Sequence, residues 1–279
     1  MRLIELIYVI LLGIVEGITE WLPISSTGHL IILEYIFGNI LETNFINMFN
    51  VVIQLGAILS VFVLYFKDII PLKFKDDTYS VNDKLKLWYK IFLSCIPLII
   101  VGIFCDDFFS DTFHNPLTVG ICLIFYGIIF IFLEKFSKGK HQVDKISDIT
   151  YKSVFIIGLF QILALIPGTS RSGITMIATS FLLYDRKVAV KFSFLQAIPI
   201  MMGASFLKII KYLFNQTIGN NQIILLLIGT LTSFLVSLLV LRWFLSFVSK
   251  HTYKIFGFYR IVLGIIVISC IILGVISSF

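Results

Sequence analysis

The chain has 279 residues, of which 58% are hydrophobic and only 14% are charged, and its formal net charge is +6. Soluble domains carry roughly 45–50% apolar and about 25% charged residues, so this composition, with a mean hydropathy of +1.01, is typical of a membrane protein. It excludes a soluble enzyme, a nucleic-acid-binding protein and a disordered chain, and the basic residues lie in short loops between apolar runs.

A helix needs about 20 apolar residues to cross the hydrocarbon core of a bilayer. Six stretches reach that length: Met48–Phe66, Trp88–Phe104, Leu117–Leu133, Phe192–Phe214, Gln222–Leu245 and Ile255–Ile276. Four shorter apolar stretches form two pairs that flank polar segments: Leu3–Val15 with Leu30–Phe37, and Ser153–Ile166 with Ile174–Tyr184. The first run is not predicted to be a cleavable signal peptide, because acidic residues follow it where small residues would be expected.

The charges of the loops predict the orientation of these segments. Loop 67–90 holds six Lys and loop 134–152 holds five, whereas loop 105–116 holds three Asp and no Lys or Arg. Cytoplasmic loops carry the excess of Lys and Arg, so the first two loops are predicted inside and the third outside. Segment 1–37 then begins and ends outside and segment 153–184 begins and ends inside, which makes each pair a re-entrant hairpin.

The two predicted hairpins share a pattern. The spacing Gly13-x-x-Glu16 is matched by Gly158-x-x-Gln161, and each motif is followed by a proline, a hydroxyl-rich turn and three spans. The prediction is an all-α polytopic membrane protein with six transmembrane helices and two re-entrant helical hairpins in inverted-topology repeats. Residues 1–279 would form one integral membrane domain, with repeat 1 at about 1–140 and repeat 2 at about 150–279.

The first hairpin carries two acids, Glu16 and Glu20, which lie on one face of a helix because they are four residues apart. Carboxylates in an apolar run are costly, so we expect both to face a cavity and to meet cations. The alternative is that the helix ends early and water at the outer surface solvates both acids.

Three hydroxyl residues, Ser25, Ser26 and Thr27, follow Pro23 and open the next helix, and His29 comes shortly afterwards. A helix N-terminus with free N–H groups suits a phosphate, although simple capping by Ser or Thr is also common. A lone histidine is more often a satisfied core residue than a catalyst, but its position beside two acids and a serine favours catalysis.

The second hairpin repeats this arrangement after Pro167, with Gly168, Ser170, Arg171, Ser172 and Thr175. The guanidinium of Arg171 matches the oxygens of a phosphate, although it could instead pair with one of the two acids. Carboxylates for a divalent cation, a hydroxyl nucleophile, an imidazole and an arginine together predict phosphoryl transfer.

Segments 16–29 (EGITEWLPISSTGH) and 167–175 (PGTSRSGIT) resemble the two signature motifs of the bacterial undecaprenyl-diphosphate phosphatases, also called bacitracin-resistance proteins. Residues 49–56 and 185–199 are similar too, and the resemblance extends from Ile4 to about Gly203. It implies hydrolysis of undecaprenyl diphosphate to the monophosphate carrier lipid used in peptidoglycan synthesis, and protection against bacitracin. It also implies a divalent cation (Mg²⁺ or Ca²⁺) and a site facing the outer side of the bacterial cytoplasmic (inner) membrane.

The resemblance also implies roles for the motif residues. Glu16 and Glu20 would be metal-binding or acid/base carboxylates, and Arg171 would clamp the phosphate. Ser26 is the candidate nucleophile, and His29 is its base or the alternative nucleophile. The predicted substrate-binding residues are Ser25, Thr27, Gln54, Gly168, Ser170, Ser172 and Thr175.

The predicted partners are the polyprenyl diphosphate lipid and the membrane bilayer, with no nucleic acid and with a homodimer left open. The main alternative function is a polyprenyl-phosphate transporter, because inverted repeats with broken helices are typical of secondary transporters. An intramembrane serine protease is a second alternative, but an arginine with two carboxylates suits a phosphate and a metal better than a peptide carbonyl.

Overall fold

The structure is a computed structural model that describes residues 2–38, 40–75, 77–113, 115–137 and 145–274, with the backbone alone at 106, 107, 110 and 134–137. The regular structure in these ranges is helical. The helices are α1 (Leu3–Thr19), α2 (Ser26–Phe37), α3 (Thr43–Val52), α4 (Gln54–Leu64), α5 (Phe66–Ile69), α6 (Val81–Phe113), α7 (Pro116–Ser137), α8 (Tyr151–Gln161), α9 (Arg171–Phe181), α10 (Arg186–Asn215), α11 (Asn220–Lys250) and α12 (Lys254–Ile272). Short 3-10 helices occupy Ile146–Asp148 and Ile162–Leu165.

Six apolar segments are long enough to cross a membrane, which confirms the six predicted spans. They are Thr43–Leu64 (α3 and α4, which meet at Ile53), Val81–Cys105, Pro116–Leu133, Arg186–Asn215, Asn220–Lys250 and Lys254–Ile272. The chain is therefore a multi-pass membrane protein. Residues 275 and 276 of the last predicted span, and residues 138–144 of the second basic loop, lie outside the described residues.

The basic loop 67–90 is shorter than predicted, because α6 already begins at Val81. Lys84, in the first turns of α6, is buried and donates hydrogen bonds to the Leu72 carbonyl and to Asp77, both at 2.9 Å. The Phe74 N–H and the Lys84 ammonium hold the pKa of the Asp77 carboxyl below its usual range. This lysine is thus a buried cation with a carboxylate partner, and it fastens the loop to the helix.

Each pair of short apolar stretches forms a helical hairpin, α1 with α2 and α8 with α9. In the first hairpin the rings of Tyr8 and Phe37 lie 5.6 Å apart, so α2 ends beside the start of α1. In the second, the Tyr184 hydroxyl donates to Ser153 Oγ at 2.9 Å, so the chain returns after α9 to the start of α8. In both hairpins the end of the second arm therefore lies close to the start of the first arm.

The first arm of each hairpin packs on a long helix from the other half of the chain, α1 on α11 and α8 on α6. A Cβ atom on Gly13 would collide with the Gly229 carbonyl of α11, and one on Gly158 would collide with the Ser94 carbonyl of α6. Both pairs of helices run parallel, as the order of their contacts shows. The predicted match between these two glycines therefore corresponds to the same packing role in each half.

The last helices of the two halves, α7 and α12, pack antiparallel through two glycine pairs. A Cβ atom on Gly264 would lie 2.8 Å from the Gly120 carbonyl oxygen, and one on Gly257 would lie 2.7 Å from that of Gly127. Any larger side chain at these contacts would push the helices apart. Helices of the two halves thus pack on one another in three pairs, α1 with α11, α8 with α6 and α7 with α12, and this packing positions the hairpin turns.

Candidate active site

The two hairpin turns, the first turn at residues 20–25 and the second turn at residues 166–170, meet and border one cavity of about 210 Å³. Among the predicted site residues, those that line it are Glu20, Ser25, Ser26, Thr27, Gln54, Gly168, Ser170, Arg171 and Ser172. The remaining wall is mostly apolar and comes from α6, α10 and the segment before the second turn. Hydrophilic residues separated by more than a hundred positions in sequence are thus brought together, as the two hairpin motifs predicted.

Both turns end in a serine with an unusual backbone. Ser25 and Ser170 each have a φ of 72°, a left-handed conformation that non-glycine residues seldom adopt. Each serine Oγ accepts a hydrogen bond from the backbone N–H three residues on, at 3.3 Å and 3.1 Å, respectively. These caps start α2 at Ser26 and α9 at Arg171, because the capped N–H groups need no further partner, and the hydroxyl residues therefore open the helix as predicted.

The carboxylate of Glu20 joins the two turns at the cavity. Its Oε1 accepts a hydrogen bond from Arg171 Nη2 at 2.7 Å, and its Oε2 accepts one from Ser26 Oγ at 2.7 Å. All three side chains are largely buried. A carboxylate that already accepts the hydroxyl hydrogen of Ser26 can take up that proton when the oxygen reacts.

The guanidinium of Arg171 is held from several sides. Its Nη1 donates to the Ser193 carbonyl of α10 at 2.9 Å, and the group lies 5.6 Å from the ring centre of the fully buried Trp21. Behind it, Thr175 Oγ1 donates to Ser193 Oγ at 2.6 Å, and Thr175 itself does not line the cavity. Arg171 Nε is buried and has no hydrogen-bond partner among the described residues.

The hydroxyl of Ser172 connects the two turns by contacting backbone carbonyls of the first turn. Its Oγ lies within hydrogen-bonding distance of the carbonyl oxygens of Glu20 (3.1 Å) and Leu22 (3.3 Å), and Ser170 Oγ lies 3.2 Å away. Gly168, with a φ of +90°, sits so close to Val119 of α7 that a Cβ atom would lie 2.8 Å from its carbonyl oxygen. The predicted hydroxyl and glycine residues therefore shape the site as well as line it.

Glu16 lies within α1, which continues to Thr19 as the four-residue spacing of the two acids predicted, and its side chain is fully buried, so the alternative that water solvates it is wrong. Neither of its carboxylate oxygens has a partner in standard hydrogen-bonding geometry among the described residues, and the Glu20 carboxyl and the Arg171 guanidinium are charged groups in its surroundings. Gln161, its counterpart in the second hairpin, is also fully buried with an unpartnered amide. Polar atoms in such surroundings usually have an ion or a water as partner.

The donor set around Glu16 and Glu20 fits a hard divalent cation. In the part of the chain that the structure describes, no group of three or more His, Cys, Asp and Glu residues could hold a metal ion. Two neighbouring carboxylates are nevertheless the kind of ligand that Mg²⁺ uses in proteins, where water and substrate phosphates complete the coordination.

The imidazole of His29 lies outside the group that lines the cavity. Its Nδ1 lies 2.7 Å from the Ser25 carbonyl oxygen, and its Nε2 lies 2.7 Å from the hydroxyl of Tyr259, whose ring stacks on the imidazole. The Ser26 hydroxyl donates to Glu20 instead. Both ring nitrogens thus have other partners, and the structure does not bring His29 to the Ser26 hydroxyl.

Sequence reasoning missed four residues around the site: Trp21, Ser193, Tyr259 and Arg260. Arg260 is the largest omission, because its fully buried guanidinium donates to backbone carbonyls of both turns. A signal was present, since Arg260 lies inside the predicted span Ile255–Ile276, and a charged residue within a span usually marks a functional site. The backbone contact of Ser193 and the packing of Trp21 leave no comparable trace in a sequence.

Comparisons of the sequence with known proteins show its family. The sequence profile of the family described as bacitracin resistance protein BacA matches residues 9–266. A protein of Lachnoclostridium phytofermentans named undecaprenyl-diphosphatase is 50% identical over 96% of this chain and 97% of its own length. A protein of Enterococcus faecalis with the same name is 46% identical over 93% of this chain and 95% of its own length. A third, from Streptococcus mutans, is 46% identical over 96% of both chains.

Proposed function

The chain belongs to the bacitracin resistance protein BacA family, and we propose that it hydrolyses undecaprenyl diphosphate to undecaprenyl phosphate and inorganic phosphate. This reaction would recycle the carrier lipid for peptidoglycan synthesis and confer resistance to bacitracin. The observation that carries the proposal is the contact of Glu20 with both Ser26 and Arg171 at one cavity. The base is thus within hydrogen-bonding distance of both the nucleophile and the phosphate-binding cation.

The cavity is suited to the diphosphate. The first residues of two helices border it, Ser26 and Thr27 of α2 and Arg171 and Ser172 of α9. Helix N-termini attract anions through free N–H groups and the positive end of the helix dipole. The guanidinium of Arg171 adds a fixed positive charge, and its unpartnered Nε–H can donate to a phosphate oxygen.

We assign Ser26 as the nucleophile and Glu20 as its base. As Ser26 Oγ bonds to the terminal phosphorus, its proton passes to Glu20 Oε2, and the bond from that phosphorus to the bridging oxygen breaks. Undecaprenyl phosphate leaves with the bridging oxygen, and water then hydrolyses the phosphoserine to give inorganic phosphate. The assignment is supported by the 2.7 Å bond between these two side chains and by the engagement of both His29 nitrogens elsewhere.

A divalent cation, Mg²⁺ or Ca²⁺, is proposed to bind at Glu16 and Glu20. The unpartnered oxygens of Glu16 support this assignment, because a buried carboxylate without a partner is costly. When bound, such an ion would neutralise phosphate charge that Arg171, the one arginine among the described residues that line the cavity, cannot balance alone.

The two hairpins are proposed to be re-entrant, in repeats of opposite orientation that form one integral membrane domain. This proposal is supported by the closeness of the two ends of each hairpin. It is also supported by the packing of the first arm of each hairpin, α1 or α8, parallel to a long helix of the other half, α11 or α6. Under the charge-based orientation, the first hairpin enters the cytoplasmic (inner) membrane from outside, and the site faces the outer side. A polyprenyl tail would remain in lipid, because each buried CH₂ contributes about 0.8 kcal/mol.

Phosphate release by the purified protein in detergent tests the proposed reaction. With undecaprenyl diphosphate and Mg²⁺ or Ca²⁺, we expect release that EDTA lowers to the background rate, because the two carboxylates need the ion. Restored release after the metal is added back would be the control for irreversible damage by EDTA. A folded protein without activity in either metal would instead support a lipid-phosphate carrier.

Labelling of engineered cysteines tests the orientation. A cysteine in the basic loop 67–90, for example at Lys73, is expected to react only with a reagent applied to the cytoplasmic side, because Lys-rich loops stay inside. A cysteine at Thr217, between α10 and α11, should react from outside. The background variant would lack Cys95, Cys105, Cys122 and Cys270. Labelling with the opposite sidedness would overturn the proposed topology.

A further inference from the structure

Arg260 of α12 is a buried cation whose hydrogen bonds go to backbone carbonyls. Its Nη1 donates to the Pro23 carbonyl of the first turn at 3.1 Å. Its Nη2 donates to the carbonyls of Gly168 (2.7 Å) and Thr169 (3.1 Å) in the second turn, and a carbonyl of α7 lies 3.5 Å from the same nitrogen. The guanidinium forms no ion pair with a carboxylate of the described residues, which sets it apart from the buried Lys84.

Such an environment is expensive unless the carbonyls stay in place. A buried charge without a counter-ion depends on oriented dipoles, and the planar guanidinium fixes the directions of its donors. The rings of Tyr126 and Phe130, 5.7 and 5.9 Å from the guanidinium carbon, complete the enclosure. The distance between the two turns is therefore set by the rigid guanidinium of Arg260, which donates hydrogen bonds to both.

We infer that Arg260 is a positioning residue of the active site, which sets the first turn against the second and thereby aligns Arg171 with Glu20 and Ser26. The inference rests on the proposed function. Glu20 lies three residues before Pro23 in the first turn, and Arg171 follows Gly168 and Thr169 in the second. The neighbouring Tyr259 contacts His29, so α12 also contacts the N-terminal end of α2.

Arg260 is not the only connection between the turns, because Ser172 also contacts the Glu20 and Leu22 carbonyls and Arg171 pairs with the Glu20 carboxylate. Loss of Arg260 should therefore shift the turns without separating them. Substrate would still meet Arg171, whereas the alignment of the reacting groups would be lost. Misplacement by about 1 Å can lower a rate about 10²-fold, so we expect kcat to fall by roughly that factor while KM changes less.

The test compares Arg260→Gln with Arg260→Lys in the full-length protein, under conditions in which the wild type releases phosphate. The conservative variant should recover part of the lost kcat, because an ammonium can still donate to one or two of the carbonyls. The matched control is Lys84→Gln, which removes another buried cation far from the cavity. This control is expected to lower the thermal midpoint and to leave the kcat of the folded protein unchanged.

A second readout follows the turns without relying on activity. In a Trp88→Phe and Trp243→Phe background, the fully buried Trp21 is the only tryptophan, and it lies in the first turn against Arg171. Displaced turns would admit water, so Arg260→Gln is expected to shift the Trp21 emission to longer wavelength, while Lys84→Gln leaves it unchanged. If wild-type protein releases no phosphate, the proposed function fails, yet the emission still tests the positioning role.

The proposal is overturned if folded Arg260→Gln keeps kcat within twofold of the wild type. It is equally overturned if kcat falls without a shift of the Trp21 emission, because Arg260 would then affect the reaction without holding the turns. If Arg260→Gln does not fold, Arg260→Lys carries the same comparison, with a smaller expected loss of kcat and a smaller shift in emission.

Discussion

Arg171→Ala is expected to lower kcat/KM for phosphate release by roughly 10³-fold or more, the range seen when an arginine that stabilises a transferring phosphoryl group is removed. The variant loses the charge at the cavity and also leaves the buried Glu20 without its cationic partner. Arg171→Lys should remain impaired about 10²-fold, because one ammonium cannot bond both Glu20 and the Ser193 carbonyl and still meet a phosphate. Initial rates over a range of lipid concentrations measure both effects.

Arg242→Ala is the matched control for these variants, since Arg242 is an exposed arginine of α11. It should retain wild-type kinetics. Breaking a buried ion pair can cost about 3–5 kcal/mol, so the Arg171 variants must also be shown to be folded, by size-exclusion profile and thermal midpoint. Near-normal turnover by Arg171→Lys would show that the several donors of the guanidinium are not needed to bind the phosphate.

Glu20→Gln is expected to reduce kcat by about 10²- to 10⁴-fold, the usual contribution of a general base. The amide has nearly the shape of the carboxylate and can still accept a hydrogen bond from Arg171, so the protein should fold. It cannot take a proton from Ser26, and it is a poor ligand for a divalent cation. Single-turnover phosphate release separates this chemical defect from slow product release.

Glu34→Gln is a useful comparison, because Glu34 is another partly buried acid of the first hairpin but does not line the cavity. Its carboxylate accepts a hydrogen bond from Asn50, which the amide can retain. We expect activity close to that of the wild type. Equal losses in Glu20→Gln and Glu34→Gln would argue for a general need for acids in the hairpin and against a specific base.

Much of the site followed from the sequence because its residues are grouped in two short motifs. The repetition of proline, hydroxyl residues and glycine predicted two similar turns, and both turns prove to end in a left-handed serine that caps the next helix. α1 also continues through Glu16 to Thr19, as the four-residue spacing of the two acids predicted, and Glu16 is enclosed by protein.

The partners of the site residues could not be predicted, because they depend on which helices meet. Several pairings remained open for Arg171, and the structure gives it Glu20 and the Ser193 carbonyl. His29 stood near Ser26 in sequence, yet its ring is turned toward Tyr259, 230 positions away. The role of Arg260 depends on the contact of α12 with both turns, which no local pattern in the sequence indicates.

A six-span membrane protein with two polar hairpins, and with the side chains needed for phosphoryl transfer, can be predicted from the amino-acid order alone. Hydrophobic length and local turn chemistry are properties of neighbouring residues, so they can be recognised without a fold. Only the folded structure shows that the hairpin turns meet, that Glu20 contacts both Ser26 and Arg171 and that Arg260 donates hydrogen bonds to both turns. These contacts depend on close helix packing through glycines such as Gly13 and Gly158, and such packing joins residues far apart in the chain.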